Sequence, residues 1–201
     1  FYTIVISYTR EASLRFLFNN MAITWLLVAP MLTMRLFAEE RKLGTFELLM
    51  TSPIRLYELV LGKFLGAALL FLGILGVTLQ YPLFLLAFGS PDLGPLAAGY
   101  LGFTLMGLGF LAVGTFASAL TDNQIVASVI AFGILLGIWI IGWAGDLVGG
   151  PLGMFLQGLA LIERLDNFVK GVLDSGDVLY YLTVIGVFLF LTVRALDWRR
   201  W

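Results

Sequence analysis

Phe64-Leu65-Gly66-Ala67-Ala68-Leu69-Leu70-Phe71-Leu72-Gly73-Ile74-Leu75-Gly76-Val77-Thr78-Leu79 carries no charge, and the uncharged run continues through Gln80, Tyr81 and Pro82 to Phe88. A helix rises about 1.5 Å per residue and a bilayer's hydrocarbon core is about 30 Å thick, so about 20 apolar residues span it. This run meets that length. It far exceeds the roughly 9–11 residues of a membrane-spanning strand and shows no alternation of polar and apolar positions. It reads as a transmembrane helix.

Working outward, four more runs have the same character: residues 20–37 with Pro30 inside, 96–120, 123–145, and 178–196. In the last, Arg194 sits near one end and can snorkel to the interface. Composition agrees. Sixty per cent of the residues are hydrophobic (60%), 12% are charged and mean hydropathy is +0.98. A soluble domain carries about 25% charged residues to solvate its surface. Net charge is −1, which offers no basic surface to nucleic acid. The chain has no Cys and no His, which excludes disulfides, thiolate metal sites, imidazole zinc sites and His-based general bases. The opening Phe1–Tyr8 lacks a basic n-region and a cleavage site and reads as the tail of an apolar segment, so a further helix is expected upstream.

The connections differ in kind. Ser90-Pro91-Asp92-Leu93-Gly94-Pro95 and Thr121-Asp122-Asn123 are short turns. Residues 147–162 are uncharged but too short to span comfortably. The residues that follow place Leu161, Leu165, Phe168, Val169 and Val172 on one helical face, and Glu163, Arg164, Asp166, Asn167 and Lys170 on the other. The segment 147–175 is therefore expected to form a re-entrant or amphipathic helix pair, with Asp177 capping the last span. If the charged loop 39–62 is cytoplasmic, Arg35, Arg41, Lys42, Arg55, Lys63, Arg194, Arg199 and Arg200 lie inside. Arg10, Arg15, Arg164 and Lys170 then lie outside, as the positive-inside rule demands. Trp25, Trp139, Trp143, Trp198 and Trp201 fall toward span ends and read as lipid anchors.

The most informative segment is Glu39-Glu40-Arg41-Lys42-Leu43-Gly44-Thr45-Phe46-Glu47-Leu48-Leu49-Met50-Thr51-Ser52-Pro53, directly after a span on the basic side. It reads as a short amphipathic helix over about 44–53. Thr45 suits its N-cap, Glu47 its positive dipole end, and Pro53 its stop. A second helix starts near Arg55 and runs past Glu58 into the next span. Glu40-Arg41, Gly44-Thr45, Glu47, Leu49 and Ser52-Pro53 together resemble the segment between the second and third spans of ABC-2-type permeases. Leu59-Val60-Leu61-Gly62-Lys63 resembles that family's entry into its third span, and Ser118 to Gln124 its second cytoplasmic loop. The run Ala29-Pro30-Met31-Leu32-Thr33-Met34-Arg35-Leu36-Phe37-Ala38-Glu39-Glu40 is similar to the gliding-motility-associated subgroup.

That resemblance implies an all-α integral membrane fold: an ABC-2, type V exporter-like, six-helix bundle whose first span is missing or truncated. It would carry a cytoplasmic coupling helix and a re-entrant extracytoplasmic pair before the last span. It further implies a non-catalytic subunit of the bacterial inner membrane that exports cargo or does mechanical work. The implied partners are an ABC ATPase, a second permease subunit as homo- or heterodimer, the lipid bilayer and an extracytoplasmic accessory protein. ATP and magnesium would bind the ATPase. This chain has no P-loop, because Gly62-Lys63 is followed by Phe64. The implied docking residues are Glu40, Arg41, Gly44, Thr45, Glu47, Leu48, Leu49 and Pro53, with a second contact at Thr121, Asp122 and Asn123.

Pro30 and Pro82 are expected to kink their helices. Gln80 and Tyr81 beside Pro82 are candidate pathway residues, although polar groups there more often serve carbonyls freed by the proline. Gly62–Gly66 and Gly133–Gly137 have the GxxxG spacing of close helix contacts, with packing inside the bundle the expectation for each pair. Two other functions compete. A secondary, ion-coupled transporter calls for ionisable groups at mid-depth or an inverted repeat. An integral-membrane transferase would draw on Asp92, Asp146 and Asp177, which read better as caps and loop solvation.

Overall fold

The computed structural model describes residues 15–47, 54–88, 92–158 and 160–198. The helices are α1 (Arg15–Thr33), α2 (Arg35–Lys42), α3 (Leu56–Thr78), α4 (Gln80–Phe88), α5 (Leu93–Ala119), α6 (Gln124–Val148), α7 (Gly150–Gly158), α8 (Leu161–Val169) and α9 (Ser175–Trp198). The described residues hold five helical stretches long and apolar enough to cross a membrane: Phe16–Lys42, Leu56–Ala87, Leu93–Ala119, Gln124–Gly145 and Ser175–Trp198. The all-helical membrane architecture expected from the sequence is present.

The bundle is organised around α5, which packs on α9, α1, α6 and α8 and also meets α2 and α3. Its small residues make this geometry reachable. A Cβ added at Gly99 would sit 2.5 Å from the Phe18 ring, and one at Gly102 would sit 2.5 Å from the Phe168 side chain. At Gly107 it would overlap the Phe71 ring, and at Gly114 it would overlap Thr33 Oγ1. Lipid tails are as apolar as leucine, so helices in a bilayer gain from close packing and not from leaving water. Glycine lets large aromatic side chains of α1, α3 and α8 reach the α5 backbone. Between them Trp25 and Phe71 stack at 4.5 Å between centroids, and Phe71 meets Phe103 at 6.0 Å.

Several expectations are corrected here. Trp25 is buried, 5% exposed, with its indole N–H donating to the Gly107 carbonyl at 3.4 Å, so it is a core residue rather than a lipid anchor. Trp143 and Trp198 are exposed, and Trp201 lies outside the described residues. The two GxxxG pairs do not pack inside the bundle: nothing lies within 4 Å of a Cβ built at Gly62, Gly66, Gly133 or Gly137. The break associated with Pro82 falls earlier, at Leu79 between α3 and α4. Near Pro30 the helix runs on to Thr33 and breaks at Met34.

Beyond α6 the chain forms a tight hairpin into α7. Gly149 and Gly150 take φ of 61° and 66°, a left-handed conformation that glycine adopts without strain. Gly145 and Gly153 then face each other so closely that a Cβ on Gly153 would lie 2.6 Å from the Gly145 carbonyl oxygen. The amphipathic helix α8 buries Leu161, Leu165, Phe168 and Val169, as its periodicity predicts. Asp177 lies inside the first turn of α9 and is not its cap; Asp174 Oδ1 accepts from the Gly176 N–H at 2.9 Å instead. Asp177 is buried and pairs with Arg164 at 2.5 Å, while Asn167 Nδ2 donates to its second oxygen at 2.9 Å. Arg164 also donates to the Gly158 carbonyl and lies over the Tyr180 ring at 4.1 Å. The Tyr181 hydroxyl donates to the Leu161 carbonyl. This polar clamp fastens α8 to α9 at the end of the bundle opposite the basic one.

Two outcomes follow for thermal unfolding of the detergent-solubilised chain. Gly114→Val forces a branched side chain against Thr33 and is expected to cost about 1–3 kcal/mol, whereas Gly133→Val meets open space and is expected to cost far less. Equal midpoints for the two would remove the packing role given to α5. Asp177→Ala removes the buried partner of the half-buried Arg164 and is expected to cost about 3 kcal/mol, with faster protease cleavage across 158–175. Asp174→Ala, which removes only the exposed bond to the Gly176 N–H, is expected to cost about 1 kcal/mol and to leave cleavage across 158–175 near that of the parent.

Candidate functional site

At the basic end of the bundle the helix termini converge. Phe37 of α2, Val60 of α3, Ala119 of α5 and Leu196 of α9 form one buried cluster, with Leu36, Phe46, Leu56, Leu59, Leu189 and Val193 against it. Four separate helices therefore share a single apolar knot just inside the charged segment. The Arg194 guanidinium covers the Phe190 ring at 5.1 Å nearby on α9.

The segment that sequence analysis singled out rises from this knot. α2 extends the first described span to Lys42 rather than ending it at residue 37. Its C-terminal turn closes through Leu43 N–H to the Glu39 carbonyl (3.0 Å) and Gly44 N–H to the Arg41 carbonyl (3.1 Å). Gly44 takes φ of 69°, so the turn needs glycine for its backbone and not for space. Helical residues resume at 45–47, and Thr45 Oγ1 donates back to the Glu40 carbonyl at 3.2 Å. The Arg41 guanidinium lies 5.1 Å from the Phe46 ring centroid. Glu47 is exposed; Leu48, Leu49 and Pro53 lie outside the described residues.

Glu40 is turned inward. One carboxylate oxygen pairs with Lys63 on α3 at 2.5 Å, both side chains being about three-quarters buried, and Lys63 also sits 5.3 Å over the Phe37 ring. The other oxygen is buried without a hydrogen-bond partner among the described residues. Glu40 thus ties α2 to α3 in preference to facing solvent. On α3, the Arg55 N–H donates to Glu58 Oε2 at 3.0 Å, which caps the helix start.

The Thr121–Asn123 turn sits at the same end. Asn123 caps α6, its Oδ1 accepting from the N–H groups of Ile125 (2.9 Å) and Val126 (3.4 Å). Thr121 Oγ1 accepts from the Asn123 N–H at 3.1 Å, and Asp122 is exposed. α2 packs against both α5 and α6, the helices that flank the Thr121–Asn123 turn. α2 and α5 are joined by Ser118, which the resemblance placed in the second cytoplasmic loop and which lies in the last turn of α5. Its Oγ accepts from the N–H groups of Phe37 (3.0 Å) and Ala38 (3.2 Å) and donates to the Met34 carbonyl (3.0 Å). The Ser118–Gln124 resemblance marked the turn, but no local pattern pairs Ser118 with residues more than eighty positions earlier.

Gln80 and Tyr81 belong to neither this face nor this end. Gln80 is exposed on α4, and Tyr81 is half-buried against the core. One turn nearer the centre, a groove of about 260 Å³ between α1 and α3 is lined by apolar side chains with Asn20, Thr24 and Thr78 among them. The Thr24 and Thr78 hydroxyls donate to backbone carbonyls of their own helices.

A family model described as ABC-2 family transporter protein matches residues 3–174. No curated protein and no solved structure matches the chain. With that match covering most of its length and a helical bundle holding five candidate spans, the chain belongs to the ABC-2 transporter family and is a multi-pass membrane protein.

Proposed function

We propose that this chain is the permease subunit of a bacterial inner-membrane ABC transporter, driven by a separate ATPase that docks on the basic end. The observation that carries this reading is the mechanical continuity of that end. Residues 45–47 and the turn at Gly44 stand on α2, and α2 is tied to α3 through Glu40–Lys63 and to α5 through Ser118. A push on residues 44–47 therefore reaches two spans through short polar links and a shared apolar knot.

In this reading Gly44, Thr45, Glu47, Leu48, Leu49 and Pro53 form the coupling helix and Arg41 flanks it. Glu40 serves as a strut behind the docking surface. Asp122, with Thr121 and Asn123 shaping its turn, makes the second contact. ATP and magnesium bind the ATPase, and this subunit supplies no catalytic group. The working unit pairs two permease subunits and two ATPases. Closure of the ATPases moves the coupling helices by a few ångströms and biases the bundle between two arrangements. The output is export or mechanical work on an extracytoplasmic partner, the second being allowed by the gliding-type resemblance of residues 29–40. Gln80 and Tyr81 remain candidate pathway residues.

The test is a mild-detergent pull-down of the full chain from native membranes. A stoichiometric ATPase is expected with the parent chain. Glu47→Arg and Leu49→Asp should each weaken its retention about tenfold, equivalent to about 1.4 kcal/mol, while the purified permease keeps its thermal midpoint. Full ATPase retention and full transport in both variants would remove the coupling-helix assignment.

A further inference from the structure

The break at Met34 has an unusual occupant. In an unbroken helix the Phe37 N–H would bond the Thr33 carbonyl one turn back. Here it donates to Ser118 Oγ on α5, which also takes the Ala38 N–H and returns its own proton to the Met34 carbonyl. A serine hydroxyl has one proton and two lone pairs. All three are used, and all on a single break in one neighbouring helix. Ser118 and Phe37 are fully buried, so no water competes for these bonds. Thr33 closes the last turn of α1 by donating to the Ala29 carbonyl at 2.8 Å, and it rests against Gly114, one turn before Ser118 on the same helix.

We infer that α2 is a jointed lever, with Met34 as its pivot and Ser118 as a catch on α5 that holds it at one angle to α1. Ser118 is a positioning residue: it touches neither cargo nor nucleotide and acts through the backbone of α2. The catch has a definite alternative. When Ser118 lets go, the Phe37 N–H can return to the Thr33 carbonyl, and α1 and α2 merge into one straight helix. The exchange trades bonds for bonds, which makes two discrete arrangements and not a continuum of bending. The lever is eight residues long. At 1.5 Å per residue it measures about 12 Å, and a change of about 20° at the joint, the size that a side chain inserted into a helix ladder produces, moves its far end by about 4 Å. That end carries Gly44 and the segment proposed to dock the ATPase. This inference deepens the coupling reading, and as a statement about function it rests on it.

The test needs no ATPase. The chain contains no cysteine, so spin labels placed at Leu43→Cys and Ile125→Cys, both exposed, report one distance without background. In the full-length permease in nanodiscs, the parent background is expected to give one narrow distance. S118A is expected to add or shift to a second distance about 4 Å away, and S118T, which restores a hydroxyl, to return the distribution toward the single one. An S118A distribution identical to the parent's overturns the catch. If S118A yields no folded protein, hydrogen exchange in the parent chain decides. The Phe37 amide should exchange at least tenfold more slowly than that of Tyr57 in the exposed first turn of α3, and equal rates overturn the inference. The two readings separate cleanly. A catch that responds to S118A in a chain retaining no ATPase keeps the joint and removes the coupling role. An ATPase retained through Glu47 and Leu49, with distances indifferent to S118A, does the reverse.

Discussion

Helices in a bilayer gain almost nothing from hiding apolar surface from one another, because lipid offers the same surroundings. What is left is close contact, and in this protein close contact depends on the backbone of α5. Gly99, Gly102, Gly107 and Gly114 admit Phe18, Phe168, Phe71 and Thr33 to distances that a Cβ would forbid. Those four side chains come from α1, α3 and α8, so one helix sets the spacing of the others. Gly62 and Gly66 of α3 and Gly133 and Gly137 of α6 show the contrast: among the described residues nothing lies within 4 Å of a Cβ built there.

Around that apolar centre the interhelical ion pairs of the described residues lie at the two ends. At one end Arg164, Asp177 and Asn167 fasten α8 to α9 through charge-assisted bonds. At the other, Glu40 meets Lys63 and Ser118 meets the break in α2. In a low-dielectric interior a satisfied polar link is strong and an orphaned one is costly, so such links favour discrete arrangements over gradual ones. The end opposite the basic one is tied shut by ions. The basic end is tied by a neutral hydroxyl and by the Glu40–Lys63 ion pair.

The legibility of the sequence was uneven. Spans were legible because crossing hydrocarbon imposes a length and a hydropathy that no other local feature imitates. The amphipathic face of α8 was legible from its period. Trp25 was misread because an aromatic near a span end serves a lipid interface or a core equally well, and only the Gly107 carbonyl and the Phe71 ring decide between them. Asp177 was misread because a carboxylate near a helix start is usually local, whereas here its partner lies on another helix. The glycine pairs were misread because spacing states that a face is smooth, not what lies against it.

The sequence by itself determined that this chain is a helical membrane bundle, which end is basic, and that a charged segment follows the first described span. Each of those properties is local: hydropathy over a window, charge near a span end, residues a turn apart. Only the tertiary structure decided that Glu40 serves Lys63, that the Met34 break is held by Ser118 more than eighty residues later in the chain, and that four helix ends share one knot. Those links join residues distant in sequence, and their energy comes from desolvated geometry between helices. A one-dimensional pattern carries the chemistry of each partner but not their meeting.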